Sequence, residues 1–449
     1  MSKISDLMWK LSNSKKDKTS QNNQNVDDLF SSWDAGKNTN MKKSHLWVSQ
    51  SVKEDDENII SFVNDLFLKA LRKWASDIHI EPTENDIRVR LRIDGSFVKY
   101  KNLEIWKIDS LIARVKIMAY LRIDEHRLPQ DWKINFNLFW WKTIDLRVSI
   151  IPTIYWEKSV IRILKKDEKP PMLKDLGIFP YNMVRLKEHL KDSHGMILAV
   201  WPTWSWKSTT LFSLLSQFSA EENNISTLED PVEYRIPWVN HSQVNPSIWF
   251  DFATWLRSLL RQDPDIIMVW EIRDEETAKL AVEASITWHL VFSTLHTNSA
   301  THTIQRLINL WIDPILLSSS LRLIISQRLV RKLCPHCKEE YIPDEKVKSS
   351  IIWKIWRYIK NKDDLKLFKN KEWWCEKCNN TWYKWRMWIY EILEMNDKME
   401  ELLLKNASRT QLEIQAIWDW MVPIKEDAFL KVVIWDTTIE EVLSVLGSS

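Results

Sequence analysis

The sequence predicts an α/β protein, a mainly parallel sheet with helices on both faces, preceded by a smaller α+β domain. Three observations carry that prediction. Apolar runs recur at Met196–Val200, Ile266–Val269 and His289–Thr294, separated by helical segments such as Ala253–Arg261 and Glu275–Ala284, the alternation of a parallel sheet with crossover helices. Upstream, Ile87-Arg-Val-Arg-Leu-Arg-Ile93 alternates strictly before Asp94-Gly95, as a half-buried strand entering a turn does. Between these regions Lys165–Pro171 is charged and proline-containing, which reads as a linker.

The elements follow in order. Residues 1–50 are rich in Ser, Asn, Gln, Lys and Asp and are expected to form a disordered polar arm, with one short amphipathic turn at Ile4–Leu11. Ile59, Ile60, Phe62, Val63, Leu66, Phe67, Ala70 and Leu71 recur at helical spacing. The 87–93 strand, a helix over Ser110–Leu121 and strands at Leu146–Ile150 and Ser159–Leu164 complete an α+β domain over 51–164. After a linker over 165–175, the second domain (176–449) opens with a helix near Tyr181–Leu190. Met196–Val200, apolar throughout, fits a parallel strand buried on both faces. Past Leu333 come two cysteine pairs, then helices at Lys398–Leu404, Gln411–Ile417 and Thr438–Leu446.

One count stands out. The 449 residues include 28 Trp and only 5 Gly, and the two together make about 7% of the chain, the usual share of glycine alone. Other totals are ordinary. The net charge is +2 with 28% charged residues, and no basic, aromatic-interleaved stretch marks a nucleic-acid surface. No apolar run approaches the ~20 residues of a membrane helix, and the first residues lack the apolar core of a secretory signal. A cytoplasmic chain is expected. Its four cysteines then argue for a metal rather than disulfides.

Directly after the Met196–Val200 run stands Trp201-Pro202-Thr203-Trp204-Ser205-Trp206-Lys207-Ser208-Thr209, followed by a helical pattern. With glycine at 201 and 206 this is G-x-x-x-x-G-K-S, the phosphate-binding loop, in the strand–loop–helix setting it requires. Such a loop wraps backbone N–H groups around phosphate oxygens, and its glycines supply positive φ and close approach. An indole at either position fills the phosphate space. A codon that the host reads as glycine and the printed translation reads as tryptophan, UGA being the simplest, accounts for the composition and the loop together. The competing reading is a surface loop with a chance Lys-Ser. Trp132, in the turn-like Pro129–Lys133, fits the same substitution. So do Trp382, Trp385 and Trp388, which as printed form an aromatic helical stripe and as glycines become turn positions.

So corrected, the chain resembles the secretion ATPase family, specifically type II secretion and type IV pilus assembly ATPases. The resemblance runs from about residue 59 to the end. It rests on Ala75–Pro82, Arg90–Gly95, Arg127–Asp131, the phosphate loop, Ser226-Thr-Leu-Glu-Asp-Pro-Val-Glu233, Asp265–Asp274 and His289-Leu-Val-Phe-Ser-Thr-Leu-His296-Thr-Asn298. It implies a RecA-like P-loop domain that hydrolyses ATP with Mg²⁺ as a homo-hexamer. It also implies work on an inner-membrane platform protein, with membrane association only through partners. Lys207 is expected on the β- and γ-phosphates and Ser208 on Mg²⁺. Glu271, after an apolar strand, is expected to polarise the attacking water. Trp270 fills the slot where many P-loop enzymes place an Asp. The Glu229–Glu233 block is expected to help hold metal and water, and His289 and His296 resemble a γ-phosphate-sensing histidine box. Arg257 and Arg261, with Arg90, Arg92 or Arg114 of the first domain, are candidates to meet charge on the phosphoryl group, some of them from a neighbouring subunit.

Cys334-Pro-His-Cys337 and Cys375-Glu-Lys-Cys378 flank a 37-residue insert. Four thiolates suit tetrahedral Zn²⁺ of the structural kind, a redox CxxC pair being the alternative. Assembly ATPases of the family carry such a site and retraction ATPases generally do not. Two other functional readings compete with the motor: a nucleotide-independent zinc-bearing scaffold in which the tryptophans are real, and a RecA-like motor acting on DNA.

Overall fold

The computed structural model describes residues 50–447 apart from 140–141, 165–169, 202–206, 220, 233, 246–249, 360–364, 372–374, 379–380 and 435. The polar arm, the start of the linker, positions 202–206 of the phosphate loop and Glu233 lie outside the described residues. The chain divides into two compact units at residue 165.

The first unit begins with helix α1 (Gln50–Arg72) and continues with strands β1 (Asp77–Pro82), β2 (Asp86–Ile93) and β3 (Ser96–Glu104), helix α2 (Ile108–Met118), and strands β4 (Gln130–Phe139), β5 (Lys142–Pro152) and β6 (Glu157–Leu164). The strands form one antiparallel sheet in the order β3-β2-β1-β6-β5-β4. Alternation decides which face is wet. Ile87, Val89 and Leu91 are buried with Val63, Leu66 and Phe67 of α1 and Leu111, Ile112 and Val115 of α2. The intervening arginines take the other face, where Arg90 pairs with Glu81 at 2.7 Å and both Arg90 and Arg92 lie over Phe97. Phe67 is fully buried and edge-on to Phe136 at 5.3 Å, so truncating it would cost about 3–5 kcal/mol. Trp132, expected in a turn, instead pairs with Val148 inside the β4–β5 ladder.

The second unit contains helix α3 (Pro180–His189), strand β7 (Gly195–Val200), helix α4 (Lys207–Leu215), strands β8 (Ile225–Glu229) and β9 (Asn240–Gln243), helix α5 (Phe252–Leu259), strand β10 (Ile266–Val269), helix α6 (Glu275–Ile286), strand β11 (Leu290–Leu295), helices α7 (Ala300–Asn309) and α8 (Pro314–Ser320), and the long strands β12 (Leu321–Leu333) and β15 (Tyr383–Glu394). These strands make a seven-stranded sheet in the order β15-β12-β7-β11-β10-β8-β9, parallel except for β15. Every residue of β7, β8, β10 and β11 is buried, as a sheet covered on both faces requires. Helices α5, α6, α7 and α8 start on Asp251, Asp274, Ser299 and Asp313, whose side chains accept backbone N–H groups of the first turn. The small antiparallel pair β13 (Lys338–Tyr341) and β14 (Leu367–Asn370) lies between the cysteine pairs in sequence. Trp388, expected in a helical stripe or a turn, sits in β15 opposite Leu329.

Backbone geometry singles out the tryptophans. Among described residues, seven of the eleven non-glycine positions at positive φ are Trp74, Trp238, Trp288, Trp311, Trp382, Trp385 and Trp420, with φ between 57 and 70°. Asp and Asn visit this region readily, but a bulky side chain there is an outlier. Four of the seven end helices in one way. After α1, Ala75 N–H donates to Ala70 O and Trp74 N–H to Leu71 O. The same 6→1 and 5→2 bonds, those of a Schellman cap, recur at Trp311 and Trp420, and the 6→1 bond, His289 N–H to Ala284 O, recurs at Trp288, in the position that glycine normally fills. Trp238 follows Pro237 in a turn closed by Val239 N–H on Ile236 O, where Pro at the second position and positive φ at the third define a type II turn wanting glycine. Trp238, Trp288 and Trp311 also leave at least three-quarters of their surface in water.

Candidate active site

The sheet brings the candidate residues together at the carboxyl ends of adjacent parallel strands, the usual crevice of an open α/β sheet. Strand β7 ends at Val200, the buried Trp201 follows, and Lys207 and Ser208 open α4 six residues further on. Thr209, also buried, has its hydroxyl 3.4 Å from the Tyr234 hydroxyl. Strand β8 ends at Glu229, which is fully buried, and β10 runs through Trp270 into Glu271, only 6% exposed. His296 stands just past β11.

Glu271 is clamped between two cationic or proton-bearing groups. His296 Nε2 lies 3.0 Å from one carboxylate oxygen, and Arg273 Nε donates to the other at 3.0 Å. Arg273 also reaches Asp230 at 4.0 Å. Backbone ties hold this edge in register: Trp270 N–H donates to Leu228 O, Ile272 N–H to Thr294 O, and the Thr294 hydroxyl to Trp270 O at 2.5 Å. Arg273 was not among the expected site residues. Its signal was nonetheless in the sequence, since residues two apart on extended backbone share a face.

The other histidine of the same block is elsewhere. His289 precedes β11, with its ring Nδ1 2.9 Å from Ala284 O and its carbonyl accepting from Gly195 N–H. The six residues of β11 separate it from His296 by about 20 Å of extended chain, so the structure does not bring the two together. Arg257 lies on α5, half exposed and paired with Glu276, and Arg261 Nη1 donates to Arg257 O at 2.9 Å. Arg114, in the other unit, has a buried Nε without a hydrogen-bond partner among the described residues.

Cys334, Cys337, Cys375 and Cys378 are all buried, and their sulfurs lie within 4.8 Å of one another. The Cys337 and Cys378 sulfurs are 3.8 Å apart, the edge of a tetrahedron with Zn–S bonds of about 2.3 Å. Burial and the neighbouring thiols push Cys337 well above the ordinary thiol range, and burial also raises Cys334. Cys375 moves the other way, its burial outweighed by hydrogen bonds from the Cys378 and Lys377 N–H groups and from neighbouring thiols. The four clustered sulfurs form a donor set that fits a soft divalent cation, which would hold them as thiolates. Cys334 N–H donates to Trp382 O, tying the first pair to the positive-φ residue that opens β15.

Comparison with known proteins places the chain. A family profile described as "Type II/IV secretion system protein" matches residues 52–444. A type IV pilus assembly ATPase PilB of Thermus thermophilus is 41% identical over 403 residues, covering 90% of this chain and 44% of that protein. The type II secretion system ATPase E of Vibrio cholerae is 40% identical over 396 residues, covering 88% of this chain and 77% of its own. Among solved structures, the Legionella pneumophila ATPase DotB superposes with a TM-score of 0.63 at 20% identity, over 87% of this chain and 96% of that one. The pilus retraction motor PilT with bound ADP gives 0.57 at 24%, over 85% and 96%. These two bear on fold alone. The chain belongs to the type II/IV secretion system protein family.

Proposed function

We propose that this chain is the ATP-hydrolysing motor subunit of a type IV pilus assembly or type II secretion machine, made in its host with glycine at positions 201, 204 and 206. The observation that carries the reading is the convergence of Glu229, Glu271 and His296 on one edge of the parallel sheet, beside the helix that Lys207 opens. Family membership and the printed names of the relatives support it. Away from the loop, four helix ends and a type II turn have tryptophan where their backbone wants glycine, which supports glycine at these positions too.

In this reading Lys207 and the loop N–H groups bind the phosphates, and Ser208 and Glu229 would hold Mg²⁺. The ion supplies charge neutralisation on the β- and γ-phosphates. Water attacks the γ-phosphorus, the bond from that phosphorus to the β,γ-bridging oxygen breaks, and ADP leaves. Glu271 orients the water and takes its proton, while Arg273 and His296 hold the Glu271 carboxylate in place. Arg257 and Arg261 are exposed enough to serve a neighbouring active site in a homo-hexamer. The tetracysteine cluster would hold a structural Zn²⁺. The motor would act at the cytoplasmic face of the membrane through a platform protein.

The test uses the full chain with Trp201→Gly, Trp204→Gly, Trp206→Gly and glycine at the seven positive-φ tryptophans, hereafter the glycine form. It is expected to hydrolyse ATP with Mg²⁺ and to contain one zinc per chain by elemental analysis, whereas the printed sequence binds no nucleotide. A glycine form that folds and does not bind ATP overturns the motor reading. Peptide mass spectrometry of host-made protein tests the codon reading separately: tryptophan mass at 238, 288 and 311 overturns it.

A further inference from the structure

The buried carboxylate at the end of β8 is met by a side chain that lies in none of the sequence motifs. Strand β9 is the four-residue edge of the sheet, parallel to β8, and its register sets His241 opposite Thr227. On that shared face His241 Nδ1 lies 2.8 Å from Glu229 Oε1. The Thr227 hydroxyl donates to the same oxygen at 2.7 Å and sits 2.9 Å from His241 Nδ1. On the far side of the ring, Ile236 N–H donates to His241 Nε2 at 3.1 Å. His241 is 13% exposed and Glu229 is wholly buried.

These contacts fix the ring chemically. A nitrogen that accepts a backbone N–H carries a lone pair, so Nε2 bears no proton. The single ring proton of a neutral imidazole is then on Nδ1, aimed at Glu229. The backbone thus selects Nδ1 as the donor that faces the carboxylate. The selecting N–H comes from Ile236, the first residue of the turn through Pro237 and Trp238. Turn, edge strand and carboxylate thus form one relay: backbone N–H to Nε2, Nδ1–H to Glu229, with the Thr227 hydroxyl as the second tie.

We propose that His241 is the positioning residue of Glu229, fixing its carboxylate for the Mg²⁺ and water of ATP hydrolysis through the Nδ1 proton. This rests on the motor reading above. Groups that orient a metal-binding carboxylate from behind are typically worth about 10–100-fold in metal affinity or activity. The role is set by where the donor atom stands, which makes it separable from bulk and fold. Asparagine places an amide N–H near the Nδ1 position, whereas glutamine places it one bond further, near Nε2.

The experiment measures steady-state hydrolysis against ATP and against Mg²⁺ in the glycine form, with thermal unfolding alongside. His241→Ala is expected to lower kcat about tenfold and to raise the Mg²⁺ needed for half-maximal rate by about tenfold. KM for ATP and the unfolding midpoint should move little. His241→Asn is expected to recover most of the loss and His241→Gln little of it. Thr227→Val, which leaves the imidazole in place, should show a smaller loss of the same kind. Unchanged kcat and Mg²⁺ dependence in His241→Ala overturns the proposal, as does an Asn variant no better than Ala. If the alanine variant does not fold, the contrast between Asn and Gln decides alone. An inactive parent removes the hydrolase reading and this inference with it, while an active parent with indifferent His241 variants removes the inference only.

Discussion

The two edges of the seven-stranded sheet carry similar residues in different surroundings. At the carboxyl edge, Glu229 and Glu271 are buried, and each is met by one side chain of its own chain segment and one from the neighbouring strand or the residue after it: Thr227 and His241 for one, Arg273 and His296 for the other. The amino edge has carboxylates and histidines too. There His189 joins Asp192 at 2.8 Å and Glu394 at 3.1 Å, Arg185 adds a contact to Glu394 at 3.5 Å, and the His289 ring meets local partners of the α6–β11 turn. These side chains keep part of their surface in water, and they lie at the ends of the strands opposite to Lys207. Parallel strands all end on the same side, so a buried charge at the carboxyl edge lies where β7 hands over to α4, whereas the same charge at the amino edge only ties helix ends to strands. Chemistry should therefore be lost at one edge and stability at the other.

The largest expected effect tests the carboxyl edge. Glu271→Gln in the glycine form keeps the volume and one acceptor but removes the base, and should lower kcat about 10²–10³-fold. ATP binding should be retained, since the residue stands at the water and not at the phosphates. Measuring nucleotide affinity beside turnover separates the two. A variant that hydrolyses ATP at a tenth of the parent rate or faster would break the assignment of Glu271 as the base.

A smaller, paired effect sets the edges against each other within one sequence block. His296→Ala removes a charge-assisted partner of Glu271 and should slow hydrolysis about tenfold, the equivalent of about 1.4 kcal/mol in the barrier. His289→Ala removes a hydrogen bond to Ala284 O. It should leave kcat within about twofold and cost about 1 kcal/mol of stability. Equal losses of activity in the two variants would erase the distinction between the edges.

That pair also shows what the sequence could and could not say. Periodicity located β10 at Ile266–Val269 and the burial of β7, because parallel strands covered on both faces are apolar at every position. The family resemblance placed His289 and His296 in one functional block, because a motif carries no information on which end of a strand each residue occupies. Strand β15 was hidden by three tryptophans spaced like a helix stripe, although Trp382 and Trp385 take the backbone of glycine and Trp388 lies in the ladder. Strand β9, Asn-His-Ser-Gln, has no apolar pattern, so the contact of His241 with Glu229 arises only from tertiary pairing. The tetracysteine cluster was legible outright, since the spacing of the two pairs is itself the chemistry.

The smallest expected effect is a pH dependence confined to the amino edge. The hydrogen bond to Glu394 raises the His189 pKa above the usual histidine value, burial working against it, and the same bond lowers Glu394. A raised histidine contributes stability that is complete below its unfolded value of about 6.5 and is lost as pH rises through the higher folded value. Glu394 works in the opposite sense, its contribution failing only as pH falls below the carboxylate range. The pair is thus strongest from mildly acidic pH up to the unfolded histidine value. Both side chains are partly exposed, at 16% and 29%, which limits the contribution to about 1 kcal/mol. Between pH 6 and pH 9 the unfolding midpoint of the parent should fall about 2–4 °C further than that of His189→Gln. Turnover of the two proteins should keep the same pH profile, because the carboxyl edge is built without this pair. A pH profile of kcat that shifts with His189→Gln would mean that the two edges are coupled, and the division of labour between them would have to be given up.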